Sequence, residues 1–125
     1  MKVKPVFVVN SILAFLFGIG FMVIPAFLLN MIGFSIDADG PLLMRFFGIL
    51  IFGISILTYS ARNIEDSNAR KSIILFLFVV YTLMPIFHIA GQVFFNKGNI
   101  MLWSVNVIHI AFAVIYAYFL FKKCA

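Results

Sequence analysis

Four long apolar runs, over residues 5–29, 41–60, 72–95 and 100–121, take up nearly the whole chain and leave only short polar stretches between them. Each run is close to the roughly 20 residues that a helix needs to cross the hydrocarbon core of a bilayer. Hydrocarbon offers no partner for a backbone N–H or C=O, so a crossing segment of this kind has to be helical. The expectation is an all-α integral membrane protein with four transmembrane helices, forming one domain over residues 1–125. Composition agrees: 65% of the residues are hydrophobic and 10% charged, whereas an average soluble domain is about 45–50% apolar. The seventeen Phe residues suit lipid-facing surface better than a water-soluble core.

A formal charge of +5 would raise nucleic acid as a partner, but its distribution reads as topology instead. Lys2 and Lys4 precede the first run, Arg62, Arg70 and Lys71 lie between the second and third, and Lys122 and Lys123 follow the fourth. With an even number of spans these three places share one side. The opposite side carries Asp37 and Asp39 in one connection and Lys97 in the other. The positive-inside bias then makes this a multi-pass cell-membrane protein with cytoplasmic N- and C-termini and no nucleic-acid partner. The first run is longer than the roughly 7–15 residues of a signal-peptide core and no A-x-A-like site follows it, so it reads as a retained span. Cys124 has no second cysteine to pair with; it reads as a plain thiol, with reversible palmitoylation the alternative.

Short connections constrain the order in space. Asn96, Lys97, Gly98 and Asn99 form a tight polar turn, which makes the third and fourth helices antiparallel neighbours. Asp66, Ser67 or Asn68 is placed to cap the third helix, and Pro41 stands near the start of the second. An up-down-up-down antiparallel bundle follows. Pro25 and Pro85, in the similar stretches Val23-Ile-Pro-Ala-Phe27 and Leu83-Met-Pro-Ile-Phe87, are expected to loosen or kink their helices. The likeness of the two stretches fits an old duplication of helix pairs or chance equally well.

The few polar residues inside the runs fall on stripes. Asn10, Ala14, Phe17, Gly18 and Phe21 share a face of the first helix, and Arg45, Gly48, Phe52, Ser55 and Tyr59 a face of the second. Tyr81, Pro85, His88 and Gln92 do so in the third, and Asn99, Asn106, His109, Ala113 and Tyr116 in the fourth. Such stripes are expected to face one another, with small residues allowing close approach. At about 1.5 Å rise per residue, His88 and His109 both lie roughly 12–13 Å below the last turn, with Gln92 and Asn106 about one helical turn nearer the surface. Trp103 lies closer still, as an interfacial aromatic.

This yields a candidate ligand site of Arg45, His88, Gln92, Asn106 and His109, facing away from the cytoplasm. Each member also has a plainer role. Arg45 can snorkel and pair with Asp37 or Asp39. The histidines can hydrogen-bond each other, Asn106 or a backbone carbonyl. Gln92 and Asn106 can be interhelical glue worth about 0.6–2 kcal/mol each. What lifts the group above these readings is convergence from three helices at one depth.

The inventory excludes several chemistries. Two histidines without an acid or thiol do not make a zinc site. All four acids, Asp37, Asp39, Glu65 and Asp66, lie in connections, which argues against proton-coupled transport. Ser11, Ser55, Thr58, Thr82 and Ser104 lack the base and orienting carboxylate of a hydrolase. A b-type haem between His88 and His109 has matched depth in its favour, but neighbouring helices about 8–10 Å apart are tight for a porphyrin. A quinone or another flat lipophile, hydrogen-bonded by either histidine, fits better, and an acidic one would suit Arg45.

The stretch Phe17-Gly-Ile-Gly20 running to Pro25, then Ile32-Gly33, Leu43-Met-Arg-Phe-Phe-Gly48, Gly53 and Ala61-Arg62, with Trp103 and the ending Tyr118-Phe-Leu120, resembles small four-helix bacterial membrane proteins related to the DoxX-like group. The resemblance implies a compact four-helix membrane protein; some DoxX-like members are associated with quinone-linked redox complexes and many have no assigned activity. No motif carries an enzymatic assignment across. Two expectations stand. In one, a small redox-accessory module binds a lipophilic ligand, quinone-like or lipid. In the other, a structural or assembly subunit has no ligand and docks to a membrane-complex partner or to further copies of itself.

Overall fold

The apolar runs become helices whose ends are set by the polar residues between them. In the computed structural model, residues 1–35 and 37–122 are described, so Lys123 and Cys124 lie outside the described residues. Those residues form five helices, α1 (Val3–Val23), α2 (Pro25–Met31), α3 (Gly40–Ala61), α4 (Ser67–Phe94) and α5 (Ile100–Phe121), and no strand. Of these, α1, α3, α4 and α5 are long and apolar enough to cross a membrane. The chain up to Glu65 makes one compact unit and the chain from Asp66 onward another.

The first run is divided rather than bent. Pro25 has no N–H to give to a preceding turn, and Ile24 leaves the helical region at φ −128° and ψ 51°, so Pro25 opens α2 as a first-turn proline. Pro85 has the other outcome: it is buried inside α4, which continues to Phe94. A Schellman motif ends α2. Gly33 takes φ 86°, its N–H meets the Asn30 carbonyl at 3.1 Å, and the Phe34 N–H returns to the Leu29 carbonyl at 3.0 Å.

Acids and an amide start the later helices. Asp37 Oδ1 accepts the Gly40 N–H at 2.7 Å at the head of α3, where Pro41 occupies the first turn. Asp66 caps α4 by accepting the Ala69 N–H at 2.7 Å, which starts that helix five residues ahead of its apolar run. Asn99 caps α5 through the Met101 N–H at 3.0 Å. Between α4 and α5 the reversal needs left-handed backbone at Asn96 (φ 49°) and Gly98 (φ 85°), while the Lys97 N–H returns to the Gly91 carbonyl at 3.1 Å. Asparagine and glycine are the residues that tolerate this conformation. At the end of α3, the Arg62 guanidinium lies 3.5 Å from the centre of the Tyr59 ring and donates to the Tyr59 carbonyl.

In the first unit α1 and α3 pack as an antiparallel pair. Ser55 Oγ donates to the Ser11 carbonyl at 2.9 Å, and seven residues along each helix Gly18 meets Gly48. A Cβ on Gly18 would sit 2.7 Å from the Phe52 nitrogen, and one on Gly48 would sit 2.9 Å from both the Gly18 oxygen and the Met22 nitrogen. The two backbones touch there. Phe21 and Phe47 close the contact edge to face at 5.8 Å. Of the polar and small stripe expected on α1, Asn10, Ala14, Gly18 and Phe21 are buried. On α3 Gly48 and Ser55 are buried, but Arg45 and Tyr59, at the ends of the expected stripe, are exposed.

In the second unit α4 and α5 form a helical hairpin around an aromatic column. Tyr81 stacks on Phe112 at 5.1 Å and on Tyr116 at 6.0 Å, and Phe78 meets Phe121 at 6.2 Å. Elsewhere the helices leave large apolar side chains uncovered, among them Leu50, Phe87 and Val107. For helices of this length such surface suits lipid rather than water.

The Gly18–Gly48 contact gives a paired expectation. Gly48→Ala forces the two backbones apart and lowers unfolding free energy by about 1–3 kcal/mol, as overpacking does. Gly53→Ala in the same helix meets nothing within 4 Å, so it is neutral or stabilises by up to about 1 kcal/mol. Thermal melts of the two variants in one detergent check this, and equal melting temperatures would contradict it.

Candidate ligand site in the second hairpin

His88 and Gln92 are one turn apart on α4, and Asn106 and His109 are three residues apart on α5, so each pair shares a face. The tight turn at Asn96 and Gly98 brings those faces together. Asn106 is 1% exposed and is the hub: its Nδ2 donates to Gln92 Oε1 at 2.9 Å, and its Oδ1 lies 3.0 Å from His88 Nδ1. Gln92 Nε2 donates in turn to the Asn99 carbonyl at 3.2 Å. His109 Nδ1 lies 2.7 Å from the Val105 carbonyl one turn back. The two imidazoles do not hydrogen-bond each other; they pack edge to face with centres 5.7 Å apart and planes at 86°. Tyr81 lies against His109 at 5.4 Å.

Two backbone carbonyls fix the polarity of the whole group, because a carbonyl can only accept. The Asn99 carbonyl requires the Gln92 amide nitrogen to face it. Gln92 Oε1 then faces Asn106, which must present its own NH2, and Asn106 Oδ1 is left as an acceptor for His88. Hence His88 carries its N–H on Nδ1. The Val105 carbonyl imposes the same tautomer on His109. A neutral imidazole has one N–H, so with Nδ1 engaged each ring holds a bare lone pair on Nε2. Neither Nε2 has a hydrogen-bond partner among the described residues. Thr82 Oγ1 is the buried side-chain polar atom that lacks a partner there, so the two Nε2 atoms are not sealed inside the protein.

Four of the five residues expected at the site are thus brought together. The fifth, Arg45, is exposed on α3, in the first unit, while Asp37, one of its expected partners, holds the Gly40 N–H. A backbone carbonyl is one of the partners expected for the histidines, but that Asn99 and Val105 supply the carbonyls leaves no mark in a side-chain pattern. Tyr81 was placed on the right stripe but not in the site; its spacing of seven from His88 is the signal that includes it. Among the described residues no three His, Cys, Asp or Glu side chains gather as metal ligands. A separate open groove of about 370 Å³ runs along the first hairpin between Phe15, Leu16, Phe52 and Ile56, and none of the site residues lines it.

The fold therefore defines an all-helical protein with four helices of membrane-crossing length, two of which share a polar cluster closed by side-chain amides. Residues 2–122 match the family described as Domain of unknown function (DUF8292), and the chain belongs to that family. No curated protein and no solved structure matches it.

Because Asn106 serves two partners from a buried position, Asn106→Ala leaves His88 and Gln92 short of a bond and costs about 1–3 kcal/mol. Ser104→Ala, at an exposed hydroxyl, changes stability by less than about 0.5 kcal/mol. Unfolding in graded detergent measures both, and an Asn106 variant as stable as the Ser104 variant would remove the hub role.

Proposed function

We propose that this chain is an integral protein of the cell membrane whose four long helices form an up-down-up-down bundle with both termini in the cytoplasm, and that the His88–His109 site binds a lipophilic ligand, quinone-like or lipid. The observation that carries the ligand reading is the pair of unpartnered Nε2 atoms. Helix-to-helix adhesion is already supplied by the link from Asn99 through Gln92 to Asn106, so adhesion alone has no use for them. Tyr81, against His109, adds an aromatic surface on which a flat ligand can rest. The resemblance to DoxX-like proteins supports a redox-accessory role without catalysis of its own.

The buried Asn106 hub favours a second reading, a structural or assembly subunit without a ligand, docked to a membrane complex or to further copies of itself. Trp103, the sole tryptophan, lies three residues from Asn106 and reports on the choice. With a short-chain ubiquinone analogue or its quinol added to the protein in nanodiscs, ligand binding quenches Trp103 saturably, and His88→Ala combined with His109→Ala abolishes the saturable part. Quenching that stays linear in concentration and is indifferent to both substitutions favours the structural subunit. Haem loading of the same preparation is expected to give no Soret band; a band that His88→Ala removes would replace the flat lipophile with a b-type haem.

Topology has its own test. Cys124 is the one native thiol, and a membrane-impermeant maleimide is expected to label it in inside-out vesicles but not in intact cells. A Gly98→Cys variant in a Cys124→Ser background is expected to show the reverse. Labelling of both from the same side would refute the even-span arrangement.

A further inference from the structure

We infer that the His88–His109 site recognises its ligand as a hydrogen-bond donor: it takes a hydroxyl-bearing aromatic lipophile of the hydroquinone class and discriminates against the oxidised, carbonyl-bearing form of the same molecule. The inference rests on the ligand-binding reading above and concerns which chemical class that site accepts.

The warrant is the polarity already derived. The Asn99 and Val105 carbonyls, acting through Gln92 and Asn106 in one case and directly in the other, commit both imidazole N–H groups to the protein. What remains for a ligand is two lone pairs. The amide groups of Gln92 and Asn106 each direct one N–H away from the imidazoles, to the Asn99 carbonyl and to Gln92 Oε1. Thr82 Oγ1, also on α4, has no partner, but it is buried. A quinone carbonyl brought to either Nε2 sets lone pair against lone pair, whereas a hydroquinone O–H donates to it. Two imidazoles that both present an acceptor disfavour the analogue that cannot donate to them more strongly than a difference in shape would. The edge-to-face histidine pair and Tyr81, stacked on Phe112, form a wall of rings that suits a flat aromatic diol better than an aliphatic alcohol.

Asparagine separates this recognition from the structural role of the histidines. Its Nδ2 can stand where Nδ1 stands and keep the bond to Asn106 or to the Val105 carbonyl, while nothing replaces Nε2. His88→Asn and His109→Asn are therefore expected to fold and melt like the parent protein. Anaerobic isothermal titration of the protein in nanodiscs compares a short-chain ubiquinol, its ubiquinone and a monoacylglycerol. Binding of the quinol about tenfold or more tighter than the quinone is the expected result, as one or two net hydrogen bonds would give. Each Asn variant brings that ratio toward one, Arg45→Gln leaves it in place, and the monoacylglycerol binds more weakly than the quinol. Quinone binding as tight as quinol, lost in the Asn variants, overturns the donor rule and leaves the site standing. A preference that follows Arg45, or a monoacylglycerol that matches the quinol, also overturns the inference. No saturable binding of any of the three overturns the site itself.

Discussion

Four helices apolar enough to cross a membrane give a polar side chain few neighbours to bond with, and the rest of the structure depends on where such atoms find partners. A polar atom carried into a membrane-length helix has to find its partner within the protein, and the two hairpins show two ways of meeting that demand. In α1 and α3 the hydroxyl of Ser55 reaches the Ser11 carbonyl of the opposite helix, and Thr58 bonds back to Ile54 and Ser55 of its own. In α4 and α5 the partners are amides and imidazoles arranged in one directed series. Surplus hydrogen-bonding capacity is left at particular atoms, and those atoms are where chemistry can attach.

Much of the fold is legible because long apolar runs between polar stretches restrict it so severely. The third and fourth runs, the cap at Asp66 and the turn at Asn96 to Asn99 follow from apolar length and from residues with a known conformational use. The fate of the prolines does not follow. Pro25 and Pro85 stand in similar pentapeptides, yet one ends a helix and the other lies within one. A proline removes one hydrogen bond in either place, and whether the helix resumes depends on packing and on nearby stops such as the Gly33 motif, which a local pattern does not encode.

The site was partly legible for a related reason. Depth and helical face together bring His88, Gln92, Asn106 and His109 into one neighbourhood, and both quantities can be counted along the chain. Which atom donates to which cannot be counted. His88 finds Asn106 and His109 finds a backbone carbonyl, two of the plain roles open to them, and that difference decides where the protons sit. Arg45 shows the limit of counting across helices that are not joined by a tight turn. Counting along the chain places it about one turn into α3 but carries no information about where its head lies.

The two hairpins also differ in what their contacts leave over. Where Gly18 meets Gly48, the helices are held by backbone contact that a single methyl group would disrupt. Holding α4 to α5 through Asn106 has a different consequence. An amide has both a donor and an acceptor side, so it passes polarity along, and the series must end on a group that is not fully used. Here it ends on an imidazole, the side chain whose second nitrogen becomes an acceptor as soon as the first is a donor. His109, anchored separately to Val105, repeats that result beside it. Adhesion between two helices has thereby fixed the hydrogen-bonding sense of the surface they share.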